Sequence, residues 1–221
     1  MTAETFDRLF LEGSRAVLAR EHTVDAPPTL PGERWGPSVC LRPDPVTAGA
    51  LDALTRQALE YVGPGHWPTG ASRSSHFTVR VLDGYREDLT PDAAATGPHL
   101  AAMREAAGSA GPLRLRLTGL TLTPASVMAA AEPEGSGATT FAAAVADALG
   151  EHGWFEAGSH RSIWYANLVH FTGPIAHPAA LVDWVAQRRR LDLGVAAVEP
   201  ELLDWVFAQG QMVPVVLGRL A

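Results

Sequence analysis

The chain has 221 residues, 47% of them hydrophobic, and a formal net charge of −7. That length suits one sizeable domain or one domain of two lobes, and the apolar content excludes a disordered chain. The acidic balance argues against a grip on long nucleic acid, and no apolar, uncharged run of about 18 residues exists to predict a membrane span.

Every basic residue is Arg; Lys is absent. A guanidinium donates two parallel hydrogen bonds and suits a small phosphate held in a locally positive cleft. The first residues are acidic and polar, without a basic-then-apolar leader pattern. The single cysteine, Cys40, lies between Val39 and Leu41 and reads as a buried strand thiol. The expected location is a reducing cytoplasm.

Residues 3–20 read as an amphipathic helix with Phe6, Leu9, Phe10 and Val17 near one face. Pro27, Pro28, Pro31 and Pro37 mark an irregular arm over 22–37. The expected division is 1–34, helix and Pro-rich arm, and 35–221, the functional body. A strand over 38–43 precedes a helix capped by Thr47, with the stripe Leu51, Leu54, Ala58 and Tyr61 and a stop at Gly63-Pro64-Gly65. A loop through Trp67 and Pro68 leads to a strand over 75–82. A helix near 91–107 carries Leu100, Met103 and Ala107. Leu113, Leu115 and Leu117 alternate with Arg114, Arg116 and Thr118, a half-buried strand whose partner is 125–131. A helix from about Thr140 buries Phe141, Val145 and Leu149 and ends at Gly150. A strand over 163–172 follows. Pro178 opens a helix with Leu181, Trp184 and Val185 on one face. Leu202–Phe207 and Met212–Leu217 around Gly210 read as a hairpin.

One tetrapeptide pattern occurs twice in this frame: His76-Phe77-Thr78-Val79 and His170-Phe171-Thr172-Gly173. A strand turns alternate side chains to opposite faces, so each His shares a face with its Thr. The same alternation puts Arg80 with His76 and Thr78, while Phe77, Val79 and Val81 pack inward. A lone strand His followed by Thr is usually structural. Two copies, each ending a strand–helix–strand half, point to one shared cleft with two imidazoles and two hydroxyls. Imidazole titrates near neutrality and serves as acid or base, and hydroxyls hold an oxyanion.

At these residues the chain resembles the two-histidine (2H) phosphoesterase superfamily, which includes 2′–5′ RNA ligase-like proteins and cyclic phosphodiesterases. The element order matches from about Trp35 to Ala221, and Leu113–Glu132 resembles the strand pair before that family's second half. Gly173-Pro174 departs from relatives whose strand continues. The resemblance implies a two-lobed, pseudo-symmetric α+β fold, antiparallel sheets backed by helices around a central cleft. It implies a metal-independent, cofactor-free hydrolase that opens a 2′,3′-cyclic phosphate on a nucleotide or RNA end, with His76, Thr78, His170 and Thr172 as catalytic groups. Alternatives are a nucleotide- or metabolite-binding protein without turnover, a 2′–5′ RNA ligase-like enzyme, and a biosynthetic tailoring enzyme.

Arg80 is the candidate phosphate ligand; Trp67, Trp164 and Tyr165 are candidate base-stacking groups, set against ordinary packing. The expected partner is a small phosphorylated molecule, with no membrane and no long nucleic acid. Zinc is disfavoured because no Cys cluster or His-x-x-x-His helix occurs, and a serine hydrolase because no Gly-x-Ser-x-Gly elbow occurs. His66, His152 and His160 read as solvated loop residues, His99 and His177 as residues near helix starts. Arg188-Arg189-Arg190 reads as a solvated helix end, with RNA contact as the minority alternative.

Overall fold

The computed structural model describes residues 2–30, 32, 34–86, 88–158 and 161–220. Helix α1 covers Thr2–Ala19. Strand β1 (Ser38–Pro43), helix α2 (Pro45–Val62) and strand β2 (Phe77–Val81) make the first half. Helix α3 (Thr96–Ser109) leads to strands β3 (Arg114–Leu122) and β4 (Ser126–Pro133), helix α4 (Gly137–Leu149), a 3₁₀ helix over Gly150–Glu156 and strand β5 (Trp164–His170). Helix α5 (Pro178–Ala186) and the hairpin β6 (Gly194–Ala208) and β7 (Gln211–Arg219) complete the chain.

All pairings are antiparallel, in the order β2-β1-β6-β3-β4-β5 with β7 also on β6. The fold is α+β, as the sequence implies. The 15-residue β6 joins the halves. One edge pairs with β1 through residues 198–203; the other takes β3 at 194–197 and then β7 at 201–208. The sequence pattern marks only the C-terminal part of this strand, as a hairpin arm.

Strand alternation sorts the interior into two clusters. Leu41, Phe77, Leu202 and Phe141 belong to the large core under the helices. Cys40, Leu203, Trp205 and Met212 belong to a smaller aromatic cluster on the opposite face, with Trp67 and Tyr85. Phe77, Phe141 and Phe171 are fully buried, each contributing about 1.5–3 kcal/mol of apolar transfer free energy.

Several boundaries differ from the sequence expectation. Helix α2 is capped by Asp44 rather than Thr47: the Asp44 carboxylate accepts from the N–H groups of Val46 and Thr47 at 3.0 Å, and Pro45 occupies the first turn. Helix α4 begins at Gly137, three residues early; this glycine lies against Pro112, where a Cβ would stand 2.2 Å from the carbonyl oxygen. Strand β5 stops at His170, two residues short of the expected end.

Helix α1 packs against β3 and α5. Thr121 donates its hydroxyl to the Phe6 carbonyl at 3.0 Å. Arg189 and Arg190 both bind Asp7, and Arg188 stacks 4.8 Å over Trp184. The arginine run therefore clamps the N-terminal helix. Cys40 is buried as expected, and burial, first of all, pushes its thiol up to about 12. No helix among the described residues is long and apolar enough to cross a membrane.

Candidate active site

His76 sits just before β2, in a segment held on both sides. Arg42 of β1 donates to the Arg73 carbonyl at 2.9 Å and the Ser72 carbonyl at 3.3 Å. The His76 Nδ1 lies 2.7 Å from the Ser74 carbonyl oxygen, an acceptor only, so Nδ1 carries the proton. His170 ends β5. Its backbone pairs with Trp67 in both directions, at 3.0 and 3.1 Å, and Gly70 donates to the Leu168 carbonyl at 2.9 Å. The loop after α2 thus lies against the strand carrying the second motif. Gly70 permits it: a Cβ there would be 2.3 Å from Thr55 Oγ1 and 2.8 Å from Leu168 Cα.

The Nδ1 of His170 lies 2.8 Å from the Asp25 carboxylate, which also binds Arg34. Burial alone would raise the Asp25 carboxyl, but His170 and Arg34 hold it below its ordinary value. As an anion it only accepts, so Nδ1 of His170 also carries its proton. In both rings Nε2 has no hydrogen-bond partner among the described residues, and both rings line one cleft of about 300 Å³.

Thr78, Arg34, Trp35, Asn167, Arg161 and Glu156 share that cleft, with Ser38, Phe155 and Trp205. Arg161 and Glu156 form an ion pair at 2.7 Å, and Glu156 also accepts from the Val81 N–H. The Trp35 ring stands edge-on to His170 (4.8 Å between centroids) and to Trp205 (5.6 Å), and Trp205 lies 4.8 Å from His76. Trp35 has φ +67°, strained for a bulky side chain, and this corner turns its ring into the cleft.

Two bulges decide which motif residues share the cleft. In β2, Thr78 pairs with Cys40 and Arg80 with Val39, leaving Val79 as the extra residue. The expected common face of His76, Thr78 and Arg80 is broken there. Arg80 donates to the Gly153 carbonyl at 2.9 Å and does not line the cleft. In β5, Leu168 is the extra residue, since Asn167 pairs with Met128 and Val169 with Val127. That shift puts Asn167 and His170 on the same side.

Thr172 lies beyond the strand. Its hydroxyl donates to the Gly65 carbonyl at 2.6 Å and its N–H to His66 Nδ1 at 3.0 Å. It is not among the cleft-lining residues. His66 is buried rather than solvated: its Nε2 meets the Val62 carbonyl at 3.1 Å, so the neutral ring bridges α2 to the second motif. Trp67 is buried in the aromatic cluster. Trp164 lines an adjoining groove with Ala142, Ala146 and Arg161, and Tyr165 is half-buried in β5 outside the cleft. His152 is exposed, as expected; His160 lies outside the described residues.

The rings differ in their electrostatics. Burial, first of all, lowers His76 to about 4, with Arg42, His170 and Arg161 adding to the effect against its bond to Ser74. Burial also lowers His170, opposed by Asp25. Burial thus favours the neutral form of both rings, and a phosphate anion beside them favours the protonated form of either.

Sequence reasoning missed Asp25, Arg34, Trp35, Arg161 and Asn167. Asn167 had a signal, an amide in an otherwise apolar strand. The others lie in irregular segments, where no periodicity marks a face. Among the described residues no three His, Cys, Asp or Glu side chains are grouped to hold a metal ion.

Comparison with solved structures gives the same fold from another direction. The protein TT0787 of Thermus thermophilus superposes with a TM-score of 0.59 at 19% identity, over 84% of this chain and 96% of that one. LigT of E. coli, solved with 3′-AMP, superposes with a TM-score of 0.54 at 14% identity, over 85% and 97%. A structure described as a phosphoesterase gives 0.52 at 15% identity, over 85% and 97%. The chain therefore shares its fold with TT0787 and LigT. No family model and no curated protein matches its sequence.

Proposed function

We propose that the protein is a metal-independent phosphodiesterase of the 2H type, opening a 2′,3′-cyclic phosphate on a nucleotide or RNA end. The observation that carries this reading is the pairing of two buried imidazoles in one cleft, each with Nδ1 committed to the protein and Nε2 left for a ligand. Water attacks phosphorus in line; one ring takes its proton, and the other gives a proton to the departing ribose oxygen. Thr78 donates to a non-bridging oxygen as charge grows there. Arg34 and Arg161 take the phosphate-binding role that strand alternation assigns to Arg80. LigT of E. coli is solved with 3′-AMP, with ATP and with phosphate, which supports a small phosphorylated ligand for this fold. The cytoplasm is the proposed location.

The test is turnover of the four 2′,3′-cyclic nucleotides, ADP-ribose cyclic phosphate and short RNAs with cyclic ends, all with EDTA present. Hydrolysis lost in both His76→Ala and His170→Ala is the expected result. No turnover of any of these, with tight binding of the nucleotides, would favour the ligand-binding alternative. Turnover that needs a divalent ion would overturn the mechanism.

A further inference from the structure

We infer that Asp25, brought in by the Pro-rich arm, is the positioning residue of His170, fixing its tautomer and aiming Nε2 at the substrate. The inference rests on the phosphodiesterase reading for its consequence in rate, but not for its geometry.

The arm is threaded along the end of β5 by its own backbone. Thr23 N–H donates to the Pro124 carbonyl at 2.8 Å, and Asp25 N–H donates to the Phe171 carbonyl at 2.7 Å. His22 Nε2 meets the Gly173 carbonyl at 2.9 Å, and its ring stands edge-on to Phe171. These bonds place Asp25 behind the second motif, where it is only 6% exposed. A buried carboxylate is costly unless paired and hydrogen-bonded. Here the carboxylate accepts from Nδ1 of His170 and from both Nη groups of Arg34.

The chemistry follows from the acceptor. A carboxylate at Nδ1 stabilises the Nδ1–H tautomer, leaves the Nε2 lone pair toward the cleft, and supports the imidazolium when a proton is bound there. His76 has a neutral carbonyl in the same place. The other charged or titratable groups facing His170 are Arg34 from the arm, His76 before β2, and the Glu156–Arg161 pair across the cleft. The rings of His66 and His22 stand edge-on to Phe171. Among the described residues, Asp25 alone supplies a negative charge in contact with it.

The test uses the full chain and reads the ring directly. Nitrogen-15 NMR of the histidine side chains, assigned with His170→Ala, gives the tautomer and titration of His170. Wild type should show Nδ1–H. Asp25→Asn, nearly isosteric, should shift the tautomer toward Nε2–H, lower the titration midpoint of His170, and lower kcat on the order of 100-fold or more with a smaller change in KM. Asp25→Glu should recover part of kcat. An Nε2–H tautomer in wild type would overturn the inference without any variant, and so would an Asp25→Asn protein whose His170 titrates as before. Lack of turnover on every cyclic phosphate, with the Nδ1–H tautomer present and lost in Asp25→Asn, would remove the proposed activity and leave the positioning role standing.

Discussion

The two motif histidines carry the same local sequence and sit in different surroundings. His76 is held by short-range bonds: its Nδ1 reaches a carbonyl two residues away, and Arg42 of the neighbouring strand secures the segment. His170 is held by a carboxylate from the far N-terminal side of the chain and by a backbone bridge to Trp67. Their threonines diverge as well. Thr78 lines the cleft, whereas Thr172 closes a bond to Gly65. A repeated motif thus fixes residue type at two places, while the packing of distant segments decides charge, tautomer and exposure at each.

The comparison is broken most sharply at the rings themselves. His76→Ala and His170→Ala should each raise the barrier by about 3–5 kcal/mol, measured as kcat on a cyclic nucleotide. A variant of either ring near wild-type rate, with its fold intact by circular dichroism, would mean that only one half of the repeat is functional. The threonines should separate next. Thr78→Ala should cost about 2–4 kcal/mol of transition-state stabilisation. Thr172→Ala should leave kcat within a few-fold and lose about 1 kcal/mol of folding stability from its hydrogen bond, read by chemical denaturation. Equal rate losses would restore the symmetric reading of the motifs.

The pH dependence of stability sharpens the contrast further. His76 titrates near 6.5 unfolded and at about 4 folded, so the unfolded chain binds the extra proton between those values. Stability should fall as pH drops from 6.5 to 4, by about 3 kcal/mol from this ring. His76→Gln should flatten that part of the profile. His170 should act with the same sign, since burial lowers it too, with Asp25 opposing. The smallest effect concerns reach beyond the cleft. An RNA of about 20 nucleotides ending in a cyclic phosphate should bind little tighter than the mononucleotide, with a shallow salt slope. Arg189 and Arg190 are already bound to Asp7. A steep slope would show that this clamp opens and that an RNA-gripping, ligase-like reading leads.

Much of the fold was legible because periodic burial writes itself into local sequence. The stripes Leu51-Leu54-Ala58 and Phe141-Val145-Leu149 are buried where helical spacing put them, and Leu115 and Leu117 face the core of β3. The full length of β6 was less visible, since Gly194–Glu201 pairs with two strands and mixes buried with exposed positions. At the site, the duplicated motif marked His76, Thr78 and His170, but β2 and β5 are the two ends of the sheet order, so their meeting in one cleft is a tertiary outcome.

Sequence alone determined the element order and the duplicated motif, because each depends on side chains a few residues apart along one helix or strand; the antiparallel α+β class came only as what the family resemblance implies. Only the tertiary structure decided that bulges at Val79 and Leu168 move Arg80 out of the cleft and Asn167 in, that Thr172 bonds to Gly65, and that Asp25, Arg34 and Trp35 reach His170. A bulge follows from how two strands are forced to match, and an irregular arm takes its path from the groove it fills. Neither leaves a period in the sequence, so both become definite only when the whole chain is packed.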